Sequence, residues 1–226
     1  MVYLIYWKSL YITMMEISHE HKLIWLSPEM SGTDNVSGIL RKYGFNELKG
    51  ENNIDSTFEY PDYKVICGMR NPYDRFFYLF YKVDFASILV KKDQYDVFKL
   101  KFNDWGRKTL IPQKLKVSVD ETFIDTSNTP KYLKNWVFDN KIPDFFVRAE
   151  SFESDLKLLG FSDNEIDNKG YNSSFFTFNK MYDFDVAKRV YHLYKKHFYL
   201  CDYDPFSFTT EELTHEEKVK FIHDIV

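Results

Sequence analysis

Two short stretches carry residue types and spacings that could hold an anion. One is Pro28-Glu29-Met30-Ser31-Gly32-Thr33-Asp34, which opens as a small, turn-prone loop; the other is Arg70-Asn71-Pro72-Tyr73-Asp74-Arg75. If the first joins a strand to a helix, backbone N–H groups at the helix start point at whatever sits above the strand's end. That is a ready anion site, with phosphate its usual guest. It is not a Walker A loop, because no Gly-Lys-Ser/Thr follows at the required spacing. In the second stretch an arginine can hold a phosphate through a forked, charge-assisted hydrogen bond. The plainer reading is an ordinary strand–helix turn, with Arg70 a capping or surface arginine and Arg75 on a solvated helix face.

The elements that must position these residues follow from hydrophobic period. Residues 22–27, centred on Ile24, Trp25 and Leu26, form a short apolar run ending at Pro28. Its length and its proline predict a buried strand. From Thr33 the period changes, and Val36, Ile39, Leu40 and Tyr43 share one helical face. Residues 44–60 are polar and read as a connection. Residues 63–69 predict a second buried strand. Asn71 is then a good N-cap and Pro72 a good first helical residue, with Phe76, Phe77, Phe80 and Tyr81 at helical spacing. Residues 144–147 predict a third strand, parallel to the other two. It leads into a helix with Phe152, Leu156 and Leu159 as its stripe. Further helices are predicted over 131–140 and 183–200, the latter carrying Val186, Val190, Leu193 and His197. Ser162-Asp163-Asn164-Glu165 and Thr214-His215-Glu216-Glu217 have capping-box form. The second box starts a last helix with Val219, Ile222 and Val226 on one face.

The chain of 226 residues is long enough for a sizeable core, and its 44% hydrophobic and 28% charged residues mark it as globular. Aromatics reach 19%, a figure that suits either a bulky core or a ring-binding surface. A net charge of −4 argues against a broad nucleic-acid surface. Cys67 and Cys201 read as two core thiols, with a disulfide as the alternative. The six histidines show no metal pattern, and His19 and His21 read as solvated. Residues 1–17 are apolar but interrupted by Lys8 and Glu16, so they predict a packed N-terminal element rather than a membrane span or signal peptide. The expectation is one domain spanning 1–226, soluble and cytoplasmic.

The two motifs, in this order and context, resemble the sulfotransferases. The first resembles that family's 5′-phosphosulfate loop, commonly Pro-Lys-Thr-Gly-Gly-Thr-Ser after a strand. Arg70, Pro72 and Arg75 match its 3′-phosphate element, Arg-x-Pro-x-x-Arg-x-x-Ser. Arg148, Glu150 and Asp155 are similar to a third family segment, in which both carboxylates read as structural first. Tyr171-Asn172-Ser173-Ser174 and Asp202-Tyr203-Asp204 resemble two more.

The resemblance implies a doubly wound α/β fold of the sulfotransferase type, with a parallel sheet flanked by helices. It implies 3′-phosphoadenosine 5′-phosphosulfate as donor, bound across the carboxyl ends of the strands. The implied reaction moves a sulfuryl group to a hydroxyl, most often on a carbohydrate, without a metal. Met30, Ser31, Gly32, Thr33, Asp34, Arg70 and Tyr78 are the implied donor-binding positions.

Three positions depart from the family. Glu29 replaces the loop lysine, Tyr78 replaces the serine eight residues after Arg70, and Thr109 stands where a histidine is common before Ile111-Pro112-Gln113. Glu29 is the candidate catalytic residue, as a general base. The opposite reading is a lost lysine. The acceptor groove is expected near Trp105, Arg107 and Lys108. The alternative function is a catalytically weakened relative that binds a nucleotide, a glycan or a protein.

Overall fold

A hairpin starts the described chain. β1 (Met14–Ser18) and β2 (Leu23–Ser27) pair antiparallel, Met14 opposite Ser27 and Ser18 opposite Leu23. The four-residue turn between them closes with Lys22 at φ 52 and with the His21 N–H donating to Ser18 Oγ at 3.3 Å. The structure, a computed structural model, describes residues 14–28, 31, 36–47, 59–84, 95–110, 116–117, 124–125, 143–162 and 178–223. Along the chain follow α1 (Val36–Lys42), β3 (Asn46–Glu47), β4 (Lys64–Met69), α2 (Pro72–Asp84) and α3 (Tyr95–Thr109). Next are β5 (Lys116–Val117), β6 (Ile124–Asp125), β7 (Phe145–Arg148), α4 (Phe152–Leu158), α5 (Phe184–Leu200) and α6 (His215–His223).

The protein is α/β, with a five-stranded mixed sheet of order β3-β1-β2-β4-β7, flanked by helices. The three strands predicted from apolar runs are parallel neighbours. Leu23 to Leu26 lie opposite Lys64 to Cys67, and Ile66 to Met69 lie opposite Phe145 to Arg148. The expected all-parallel sheet is corrected on the other side, where β1 pairs antiparallel with both β2 and β3. The cause is the β1–β2 connection: four residues can close a hairpin but cannot make the crossover that a parallel pair needs. Part of the predicted N-terminal packed element is therefore the strand β1, and part of the predicted connection is β3. β5 and β6 form a separate two-stranded ribbon.

The chain divides into two compact units, Met1–Arg70 with Pro130–Asn172, and Asn71–Thr129 with Ser173–Val226. In the first unit α1 and α4 pack on the sheet. Trp25, Ile66 and Val147 from three strands meet Val36 and Leu40 of α1 and Leu156 of α4. Each such side chain contributes about 1.5–3 kcal/mol by leaving water. Both helices stop the same way. Gly44 (φ 75) follows α1 and Gly160 (φ 91) follows α4, in left-handed backbone that suits glycine. Phe45 N–H reaches back to the Leu40 carbonyl, and Phe161 N–H to the Leu156 carbonyl, which satisfies helix-end acceptors. Each motif then drops its phenylalanine, Phe45 or Phe161, into the core.

The second unit is built on aromatic rings. α2 is capped by Asn71, whose Oδ1 accepts from Tyr73 N–H at 2.9 Å, and Pro72 is its first residue, as predicted. Phe76, Phe77 and Phe80 of α2 are buried against Phe98, Phe102 and Trp105 of α3. The aromatic richness of this unit therefore goes into packing. Gly106 lets α3 approach α5, since a Cβ there would lie 2.6 Å from Val186 Cγ1. Asp183 caps α5 by accepting from Val186 N–H at 2.9 Å. α5 keeps the predicted span and buries Val186, Val190 and His197, while Leu193 is half-buried.

Thr214 and Glu217 form the predicted capping box at the start of α6. Its buried side chain is Phe221, however, while Val219 is 43% exposed and Ile222 half-buried. A ring that finds four aromatic neighbours displaces the expected aliphatic face. Val226, the helix predicted over 131–140, residues 163–165 of the first capping box, and Tyr171–Ser174 lie outside the described residues. Among the described residues no helix is long and apolar enough to cross a membrane.

Candidate anion site at the carboxyl ends of the parallel strands

Ser27 ends β2 and Arg70 follows β4, so both stand at the carboxyl end of neighbouring parallel strands. In open α/β sheets this is the end where ligands bind. The chain turns at once after β2: Ser31 N–H donates to the Pro28 carbonyl at 3.1 Å. Ser31 Oγ lies 3.4 Å from Ser27 Oγ, and both side chains are buried. Arg70 is 3% exposed, so its guanidinium is held inside rather than on a surface. The structure thus brings two of the expected binding residues, Ser31 and Arg70, to one end of one sheet. Glu29, Met30, Gly32, Thr33 and Asp34 lie outside the described residues. The helix expected from Thr33 is described from Val36 and is seven residues long. Tyr78 is half-buried on α2, in the second unit.

The third strand end is neutralised internally. Both Asp155 oxygens accept from the Arg148 guanidinium, Nε and Nη2 each at 3.2 Å. Asp155 also accepts from Arg148 N–H at 2.8 Å and Ser151 Oγ at 2.9 Å. A bidentate pair with two further donors clamps the start of α4 to the end of β7. Asp155 is therefore structural, as its sequence context suggests, and Glu150 is exposed.

Arg75 departs from its expected solvated face. It is 3% exposed, donates through Nη1 to the Tyr194 hydroxyl at 3.2 Å, and sits 5.8 Å from that ring's centre. Burial raises the Tyr194 phenol above its ordinary pKa, and the neighbouring arginine pulls it back. Burial likewise pushes Tyr73 and Tyr182 well up, so both stay neutral donors. The Tyr73 hydroxyl bonds the Pro205 carbonyl at 2.7 Å, and the Tyr182 hydroxyl the Tyr73 carbonyl at 2.6 Å.

The residues expected near an acceptor groove are engaged locally. Trp105 packs on Phe76 and Phe80. Arg107 pairs with Asp183 and Asp185, and Lys108 with Asp104. Thr109 is half-buried at the end of α3. His19 and His21 are exposed, and His19 Nδ1 lies 2.9 Å from the Tyr63 hydroxyl. Cys67 and Cys201 are buried thiols. Among the described residues no group of His, Cys, Asp or Glu could hold a metal.

Sequence reasoning missed Glu16. It is fully buried on β1, with Arg41 Nε of α1 at 3.4 Å. The available signal was a lone acid inside an apolar run, which in a buried element calls for a cation. The fold and these strand ends define an α/β protein with an arginine and two serines at the carboxyl ends of two neighbouring parallel strands. No protein-family model matches the chain, and no curated protein or solved structure matches it.

Proposed function

We propose that this chain is a sulfotransferase-like protein that takes its sulfuryl group from 3′-phosphoadenosine 5′-phosphosulfate. The observation that carries the reading is the position of buried Arg70 and Ser31 at the ends of two hydrogen-bonded parallel strands. In this reading the Arg70 guanidinium takes the 3′-phosphate as a fork. Met30, Ser31, Gly32, Thr33 and Asp34 are the residues that bind the 5′-phosphosulfate. The acceptor is a hydroxyl, on a carbohydrate. Its oxygen forms the new bond to sulfur while the bond from sulfur to the bridging oxygen breaks. Adenosine 3′,5′-bisphosphate leaves, and the acceptor proton goes to Glu29 as base. A second reading rests on Glu29 itself, an acid where the resembled family has lysine. A carboxylate beside a phosphosulfate is repulsive, so the chain would bind the nucleotide, a glycan or a protein with little or no transfer.

Calorimetric titration of the full chain with adenosine 3′,5′-bisphosphate, and separately with adenosine 5′-monophosphate, tests the binding step. The expected result is one site that prefers the bisphosphate. A folded protein that binds neither nucleotide overturns the proposal. Transfer to a panel of sugar acceptors then separates the two readings.

A further inference from the structure

The last helix is held by one ring. Among its described side chains α6 buries Phe221, while its other positions are exposed or half-exposed. Phe221 fits a nest of four rings: Phe184 at 5.3 Å, Tyr191 at 5.5 Å, Phe206 at 5.6 Å and Phe208, stacked, at 5.1 Å. Two lysines hold the rim. Lys188 Nζ of α5 donates to the Lys220 carbonyl at 2.8 Å, and Lys218 Nζ lies 5.6 Å from the Phe206 ring centre. A nine-residue helix is marginal on its own, so α6 depends on this docking.

His192 lies under the same contact. It is 7% exposed on α5, packs on the Tyr191 ring at 5.1 Å, and makes a backbone hydrogen bond with Phe221. Its Nε2 is buried without a hydrogen-bond partner. The charges that face it, Lys188 and Lys195, are both cations on its own helix, and from α6 it meets the Phe221 backbone. No carboxylate appears among the groups acting on it. A third positive charge, added to those of Lys188 and Lys195, is therefore poorly tolerated while α6 is in place.

We propose that α6 is a strap that acidification releases, with His192 as the group that takes the proton and the Phe184–Tyr191–Phe206–Phe208 nest as the surface uncovered. The sign follows from linkage. Burial, then Lys188 and Lys195, lower the docked histidine from 6.5 to about 4. The docked state thus binds fewer protons than the released state. Docking is at full strength above the ordinary histidine value and is lost as pH falls through it towards the docked value. At about pH 5 the linkage weakens docking by up to roughly thirtyfold.

The test is hydrogen exchange on the full chain at neutral pH and near pH 5, corrected for intrinsic rates, with α2 as internal reference. Protection of 215–223 is expected to fall at least several-fold more than that of 72–84, and His192→Gln is expected to abolish the difference. An equal fall in both segments, or the same α6 loss in His192→Gln, overturns the proposal. If His192→Gln does not fold, histidine NMR titration of Phe221→Ala decides. With the plug removed, His192 should titrate close to its ordinary value. A value that stays near that of the docked protein would overturn the strap.

Discussion

The Arg75 guanidinium and the Tyr194 hydroxyl are hydrogen-bonded at 3.2 Å, and Tyr194 is the residue at which α5 leaves helical geometry (φ −109, ψ 20). Both side chains are buried. The pair ties α2 to α5 through a cation and a neutral phenol. The bend in α5 coincides with the residue that makes this bond.

Tyr194→Phe keeps the ring and removes the acceptor that Arg75 uses. The expected loss is about 1.5–3 kcal/mol of stability, the scale of a hydrogen bond to a charged group. Urea denaturation measures it as a lower midpoint at unchanged slope. An unchanged midpoint would show that this bond contributes nothing. Nucleotide affinity should not change, because Arg75 is engaged in packing the second unit.

Gly106→Ala places a methyl where Val186 Cγ1 lies 2.6 Å away. Overpacking of this kind costs about 1–3 kcal/mol. Val186→Ala alone should also destabilise, by leaving a cavity. The double variant should recover part of the loss, as neighbouring sites couple. Simple additivity of the two thermal shifts would mean that α3 and α5 relax apart instead.

Arg70→Ala is expected to weaken adenosine 3′,5′-bisphosphate binding by about 1.5–3 kcal/mol, the worth of a charged hydrogen bond. The loss with adenosine 5′-monophosphate should be smaller. Arg70→Lys should recover charge but not the fork, and so only part of the affinity. Equal losses for both nucleotides would remove Arg70 from the 3′-phosphate.

Glu29 separates an enzyme from a binding relative. If it is a base, Glu29→Gln should leave donor affinity unchanged or tighter and lower single-turnover transfer by about 10²–10⁴-fold. If it is a lost lysine, Glu29→Lys should tighten donor binding and raise or create transfer. Donor titration and rapid-quench transfer on sugar acceptors decide between them. A sharp drop in transfer for both variants would identify Glu29 as catalytic.

Much of this protein was legible in its sequence because the signals are local. Apolar runs of five to six residues determined β2 and β4, and a caps-and-period argument determined α2, α5 and the start of α6. Such preferences are settled within a turn or a strand, where each residue answers to neighbours a few positions away. The same locality made Asp155 readable as structural, since its partners Arg148 and Ser151 lie within seven residues. What only the tertiary structure decided are choices between distant partners. β1 became a strand because β2 offered it an edge, and that made the sheet mixed. Arg75 turned inward because Tyr194, 119 positions away, supplied an acceptor inside the second unit. Phe221 displaced Val219 from the buried face of α6 because four rings from α5 and residues 206–208 form its nest. Period marks which side chains can leave water; which surface receives them depends on chain segments that sequence spacing does not bring together.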